Sequence, residues 1–206
     1  MIVPLREELT AYQPRNAQEA RDKELILTYL DSCDDAFLRS NRIAHMTASA
    51  WVTNRDRTKV LMVYHKLYDS WAWCGGHADG EEDLLKVALK ECREETGLQS
   101  VRPIDGKIAS LECLTVDGHE KRGEYVSSHL HLNVTYLLEA DDTEQLRICE
   151  DENTGVKWFT PEEALAASTE PWFVRRIYSK LNARLSELKG FPSEGKLSST
   201  VSAADD

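Results

Sequence analysis

Residues 75–98 constrain this chain more than any other segment. A glycine pair, Gly75-Gly76, opens it and Gly97 ends it; a helix-patterned stretch rich in glutamate lies between. The short apolar run Trp71-Ala72-Trp73-Cys74 leads into the glycines and reads as a strand. Leu85, Ala88, Leu89 and Cys92 then recur at helical spacing, which predicts a helix over 82–95 with that stripe on the core. Glu91, Glu94 and Glu95 fall within little more than one turn, so Glu91 neighbours both of the others. Each like-charge pair costs roughly 0.2–0.5 kcal/mol in an isolated helix. The helix dipole also disfavours anions at a C-terminal end. A hard divalent cation such as Mg²⁺ would convert the repulsion into ligation, because it takes carboxylate oxygens and keeps waters for phosphates. The alternative is a solvated acidic face supported by ordinary i,i+4 pairs, Glu82 with Lys86 and Lys90 with Glu94.

The periodicity around this segment is mixed. Asn16 followed by Glu19 resembles a capping box, and Ile26, Tyr29, Leu30, Cys33 and Phe37 line one helical face, so the first 40 residues read as helical with a break at Pro14. Met46, Ala48, Ala50 and Val52 alternate with Thr47, Ser49 and Trp51. The turn residues Asn54-Arg55-Asp56-Arg57 and the run 59–65 complete a predicted hairpin. Strands are predicted at 104–115, 125–139 and 156–159. Thr160-Pro161-Glu162-Glu163 carries an N-cap, a proline at N1 and a glutamate at N3. A final helix carries Phe173, Ile177, Leu181, Leu185 and Leu188. Hairpins mixed with helices point to an α/β (α+β) domain.

Composition narrows the function classes. The net charge is −11 over 206 residues, which gives no general attraction to DNA or RNA. It would also repel an anionic substrate unless a metal or a local basic group intervened. The 5 cysteines show no CxxC spacing and read as free thiols of a reducing cytoplasm. No apolar run is long enough to span a membrane, and the first residues do not read as a secretory signal. The expected organisation is a helical extension at 1–43, a catalytic domain at 44–188 and a flexible tail at 189–206 in which Phe191 is the apolar outlier. The apolar stripe of the extension must bury against something, its own domain or a homodimer partner.

The 75–98 segment resembles the Nudix box, G-x5-E-x7-R-E-U-x-E-E-x-G-U with U aliphatic. Gly76, Glu82, Glu91, Glu94, Glu95, Gly97 and Leu98 match at the family's spacing. Lys90 stands where the family has arginine, and Cys92 takes an aliphatic position. A lysine cannot reproduce the planar guanidinium fork, whereas a cysteine packs as a small hydrophobe. The resemblance covers about residues 44–168. It implies the Nudix α/β/α sandwich around a mixed sheet, and Mg²⁺ (or Mn²⁺) held by Glu91, Glu94 and Glu95, often with the Gly75 carbonyl. It implies that Glu82 orders the loop. It also implies hydrolysis of the diphosphate bond in a nucleoside diphosphate linked to another moiety.

A general base is also needed, and Glu91, Glu150 and Glu152 are the candidates. His77 directly follows the box glycine, where isopentenyl diphosphate isomerases of the same fold carry a metal-binding histidine; it is a candidate for metal or phosphate. His129 and His131 share one strand face, either toward a substrate cleft or as an exposed sheet face. His45 and His65 read as structural. Trp51, Trp71 and Trp73 are suited to core packing or to stacking on a base. Two other readings stay open: a nucleotide-binding sensor or scaffold without turnover, and the isomerase. The isomerase needs a cysteine where Gly75 stands, and Cys74 is one residue early, on the opposite strand face.

Overall fold

The alternating stretches form one mixed sheet between two helical layers. In the computed structural model, which describes residues 4–121 and 123–189, the chain opens with α1 (Leu5–Ala11) and α2 (Ala17–Ser32). Strands β1 (Ala44–Asn54), β2 (Val60–His65), β3 (Ser70–Ala72) and β4 (Cys74–His77) follow, then α3 (Leu84–Thr96). Next come β5 (Arg102–Val116), a small hairpin of β6 (His119–Lys121) and β7 (Glu124–Val126), β8 (His129–Ala140) and β9 (Asn153–Phe159). Helix α4 (Pro161–Ala167), the short α5 (Pro171–Phe173), a π-helical turn at Val174–Tyr178 and α6 (Ser179–Lys189) end the described chain. Residues 190–206, with Phe191 and nearly all of the expected tail, lie outside the described residues.

β1 is the spine. It pairs in parallel with β8 along its whole length, and its other edge is shared by β4 and β2, both antiparallel. β5 pairs antiparallel with β8, and β9 and β3 with β2. Every residue of β1 is buried. Its alternation therefore separates two cores rather than core from solvent. Met46, Ala48, Ala50 and Val52 pack with Leu9, Ile26, Leu84, Ala88 and Cys92 of the first helical layer. Trp51 packs on the other face with Ala164, Ile177, Tyr178 and Leu181. The result is the expected α/β/α sandwich.

The N-terminal helices cover the exposed edge of that sheet. Leu5, Leu9, Tyr12 and Ile26 join the first core, and Tyr29, Leu30 and Phe37 of the predicted stripe pack against it half-buried. The Glu8 carboxylate accepts the Ile108 N–H at 2.9 Å, and Asp22 accepts the Cys113 N–H at 3.2 Å. These bonds satisfy β5 donors that an open edge would leave for another strand. The helix is shorter than the stripe suggests: Cys33 is already extended at the C-cap, and Phe37 packs on the core from beyond it. Asn16 caps the Glu19 N–H at 2.9 Å, but the Glu19 carboxylate accepts from Arg15, one residue before the capping-box position. The capping box at Thr160 and Glu163 forms in full.

A buried polar network locks the second layer. Lys180 of α6 reaches Glu19 at 2.8 Å and Glu112 at 2.9 Å, and both carboxylates are fully buried. The Asn133 amide donates to Glu112 at 3.3 Å, while Thr47 and Ser49 donate to its Oδ1 at 3.0 and 2.9 Å. Burial raises the Glu112 carboxyl pKa, with Lys180 opposing. For Glu19 burial also acts upward, but the Arg15 N–H and Lys180 outweigh it and the net direction is down.

Candidate active site and the histidine cluster behind it

The geometry of α3 begins with its caps. The Asp83 side chain accepts the Lys86 N–H at 3.1 Å, and Gly97 ends the helix at φ +79°, with its N–H on Arg93 O. The buried stripe is Leu84, Val87, Ala88 and Cys92, with Leu85 and Leu89 only partly covered, one position from the stripe predicted. That shift decides the fate of the acids. Glu91 and Glu95 lie on the buried side and turn toward the sheet. Glu94 points outward, 55% exposed, and pairs with Lys90 at 3.3 Å.

Glu91, Glu95 and the exposed Glu152 converge, each with a carboxylate oxygen within 4.8 Å of the others. Glu152 reaches the pair because buried Asn153 donates to the Glu95 carbonyl at 2.9 Å, pinning the start of β9 to the end of α3. Glu150 is not part of the trio, although its carbonyl receives Lys66. Glu82 is exposed on the turn before α3, and Lys86 pairs with Glu81 in place of the predicted Glu82.

The glycine pair makes the space. A Cβ at Gly76 would lie 2.4 Å from Glu91 Cδ, and one at Gly75 would lie 2.7 Å from the Ala48 carbonyl. The Gly75 N–H points at Glu95 Oε1 across 3.4 Å, while Glu95 Oε2 is buried with no hydrogen-bond partner. Burial drives the Glu95 pKa well up, against the Gly75 N–H, and Glu152 and Glu91 push it further. Glu91 is raised for the same first reason, opposed by Lys90. Crowded acids and an orphaned buried oxygen are the features that a cation would satisfy.

Two cations stand at the rim. Lys90 Nζ reaches Glu91 at 3.1 Å as well as Glu94, so the lysine bridges two box glutamates without a planar fork. Arg39 pairs with Asp79, which holds the guanidinium pKa up, and the charges of Glu91 and Glu152 add to it. Nothing in the sequence marked Arg39. It sits in irregular chain after α2, and only the fold brings it near the glutamates.

The histidines gather on the other face of β4. His45, His77 and His131 each offer a ring nitrogen within 4.8 Å of the others, and His129 Nε2 lies 3.2 Å from His131 Nε2. His45, read as structural from sequence, is thus part of this group. The His131 pKa is lowered to about 2 by burial first and by the neighbouring histidines next. Trp51 is fully buried, stacked on Tyr178. Trp71 packs edge-on to Phe159, and Trp73 to Phe173. Cys74 is fully buried beneath α3, on the face opposite His77.

The family description of the NUDIX domain matches residues 44–181, which include the glycines, α3 and both clusters. The chain belongs to the NUDIX family. A probable DHNTP pyrophosphohydrolase of Lactococcus lactis subsp. cremoris (strain MG1363) is 28% identical over 99 residues. That match takes in 48% of this chain and 56% of the relative. An Ap4A hydrolase of C. elegans, solved as a binary complex, superposes with a TM-score of 0.52 at 18% identity, over 71% of this chain and 98% of that one. A NUDIX-family hydrolase from Clostridium perfringens gives 0.50 at 21% identity, over 70% and 99%. Both structures share the NUDIX fold with this chain. No described helix is long and apolar enough to cross a membrane.

Proposed function

We propose that this NUDIX protein is a Mg²⁺-dependent pyrophosphohydrolase that cuts the diphosphate bond of a nucleoside diphosphate linked to another moiety. One observation carries the reading: Glu91, Glu95 and Glu152 converge beside a glycine pair, and a buried Glu95 oxygen has no partner. The name of the L. lactis relative supports pyrophosphate chemistry. In this reading Glu91 and Glu95 are the inner ligands, the Gly75 carbonyl lies beside them, and Glu94 closes the outer side. Mn²⁺ is an acceptable substitute, because the donors are all hard oxygens.

A bound divalent ion would clamp phosphoryl oxygens and lower the pKa of an attacking water. The chain's own residues do the rest. Glu152, on its exposed loop beside Glu91 and Glu95, would accept the proton of that water. Arg39 and Lys90 supply positive charge at the rim of an acidic protein, where an anionic substrate must approach. Glu82 orders the turn entering α3. Residues 44–188 are the catalytic unit, with 1–43 as a cover on the sheet edge.

The test is a screen of nucleotide sugars, dinucleoside polyphosphates, ADP-ribose and nucleoside triphosphates, with Mg²⁺ and with chelator. Release of phosphomonoester or pyrophosphate only with Mg²⁺, and its loss in Glu95→Gln, supports the reading. Metal-independent turnover, or full turnover in Glu95→Gln, overturns it.

A further inference from the structure

We propose a second metal site, built from His45, His77, His129 and His131, that takes a zinc-class divalent ion rather than magnesium. The site follows from strand register. His131 on β8 is the direct cross-strand partner of His45 on β1, and His77 on β4 pairs with Thr47, two residues along the same face. Three adjacent strands thus each place an imidazole on one face, and His129 adds a fourth from the same strand as His131. Strand spacing of roughly 4.7–4.9 Å sets the ring separations. The ring centroids of His45 lie 5.1, 5.0 and 5.0 Å from those of His77, His129 and His131.

The nitrogens are oriented as ligands. His45 Nδ1 lies 2.9 Å from the Asn41 carbonyl and His129 Nδ1 2.8 Å from the Ser127 carbonyl. A carbonyl only accepts, so both rings donate from Nδ1, which leaves Nε2 as the ring nitrogen available to the cluster. Metal-ligating histidines are commonly fixed in this way by a backbone carbonyl on the far nitrogen. His45 is 4% exposed and its Nε2 has no hydrogen-bond partner. The His129 and His131 Nε2 atoms stand 3.2 Å apart. Two nitrogens on one tetrahedral zinc, each at about 2.0–2.1 Å from it, would be about 3.3 Å apart.

The donor set selects the ion. Neutral imidazole suits Zn²⁺ and its first-row neighbours, whereas Mg²⁺ wants oxygen. The ring nitrogens of His45, His77 and His131 lie within 4.8 Å of one another, so small rotamer changes bring them onto one ion. His77, His129 and His131 are only half-buried, which leaves a path from solvent. The site is distinct from the acidic trio, because Gly76 meets Glu91 on one face of β4 while His77, the next residue, points to the other. It does not depend on the diphosphate reading.

The experiment titrates Zn²⁺, and Co²⁺ as its visible probe, into the metal-free full chain. It is repeated with His77→Gln, with His131→Gln and with the double variant Glu91→Gln/Glu95→Gln. One Zn²⁺ should bind at submicromolar level in millimolar Mg²⁺, with the absorption of a nitrogen-ligated tetrahedral Co²⁺. Both histidine variants should weaken it about a hundredfold while keeping a native circular dichroism spectrum, and the double glutamate variant should retain it. Zn²⁺ affinity unchanged in the two histidine variants overturns the site. So does zinc uptake lost in the glutamate variant, or no binding below about 10 μM.

Discussion

The two faces of β4 carry side-chain clusters of opposite character. On the α3 face, Glu91, Glu95 and Glu152 present hard oxygens, and burial and mutual repulsion push the two helical carboxyls upward in pKa. On the other face, His45, His77, His129 and His131 present imidazole nitrogens. The first set comes mostly from one helix; the second is assembled from three strands. A single four-residue strand, two of its residues glycine, keeps the acidic and the imidazole clusters apart simply because adjacent side chains point to opposite sides.

The contrast breaks most sharply at Glu95. Glu95→Gln should lower Mg²⁺-dependent hydrolysis by on the order of 10²–10³-fold, as for loss of one preorganised charge-stabilising group. Its effect on the metal-free fold should be the reverse. The folded pKa of Glu95 lies well above its ordinary value of 4.5, so the folded state binds the proton more tightly than the unfolded. Wild-type stability without metal is therefore greatest below that value and falls as pH rises toward the folded pKa. The glutamine variant lacks this loss. With chelator at pH 8, its thermal midpoint should exceed that of the wild type, and the gap should shrink at pH 5. A variant that is both active and no more stable at pH 8 would contradict the placement of Glu95.

Stability on the histidine face rests on Lys180, which answers two buried carboxylates. Lys180→Met should cost about 3–5 kcal/mol in denaturant unfolding. Glu112 is already raised by burial, so it protonates more readily once Lys180 is gone, and the deficit should be smaller at pH 5 than at pH 8. A deficit that grows toward acid would contradict the network. Gly76→Ala should act on the acidic face alone. Its Cβ meets Glu91 at 2.4 Å, so about 1–3 kcal/mol of overpacking is expected, with more Mg²⁺ needed for half-maximal activity. The smallest effect belongs to Lys90→Arg. The Lys90 side chain is 58% exposed and already bridges Glu91 and Glu94, so solvent screening limits the change to less than about 1 kcal/mol in unfolding or in kcat/KM.

This contrast also explains what could be read from sequence. The acidic face was legible because helix periodicity and two flanking glycines are local signals. The split among the acids was not legible, since a one-position rotation of the α3 stripe buries Glu91 and Glu95 and frees Glu94. Histidines on one strand could be paired by period two, as His129 and His131 were. Their meeting with His45 and His77 depends on parallel pairing of β1 with β8, which no turn or spacing announces. Arg39 and the Lys180 network were invisible for the same reason, and the N-terminal stripe named no target until Glu8 and Asp22 met the β5 edge. Elements with strong local grammar, such as the Thr160 capping box and the β1–β2 hairpin, formed where they were predicted.

The most direct measurement is a Mn²⁺ titration of the chelator-treated full chain, followed by electron paramagnetic resonance, in wild type, Glu95→Gln and His131→Gln. The expected result is oxygen-ligated Mn²⁺ in wild type and His131→Gln, displaced by millimolar Mg²⁺ and lost in Glu95→Gln. Equal Mn²⁺ uptake by wild type and Glu95→Gln, or none by wild type, would show that these buried carboxylates are not a metal site.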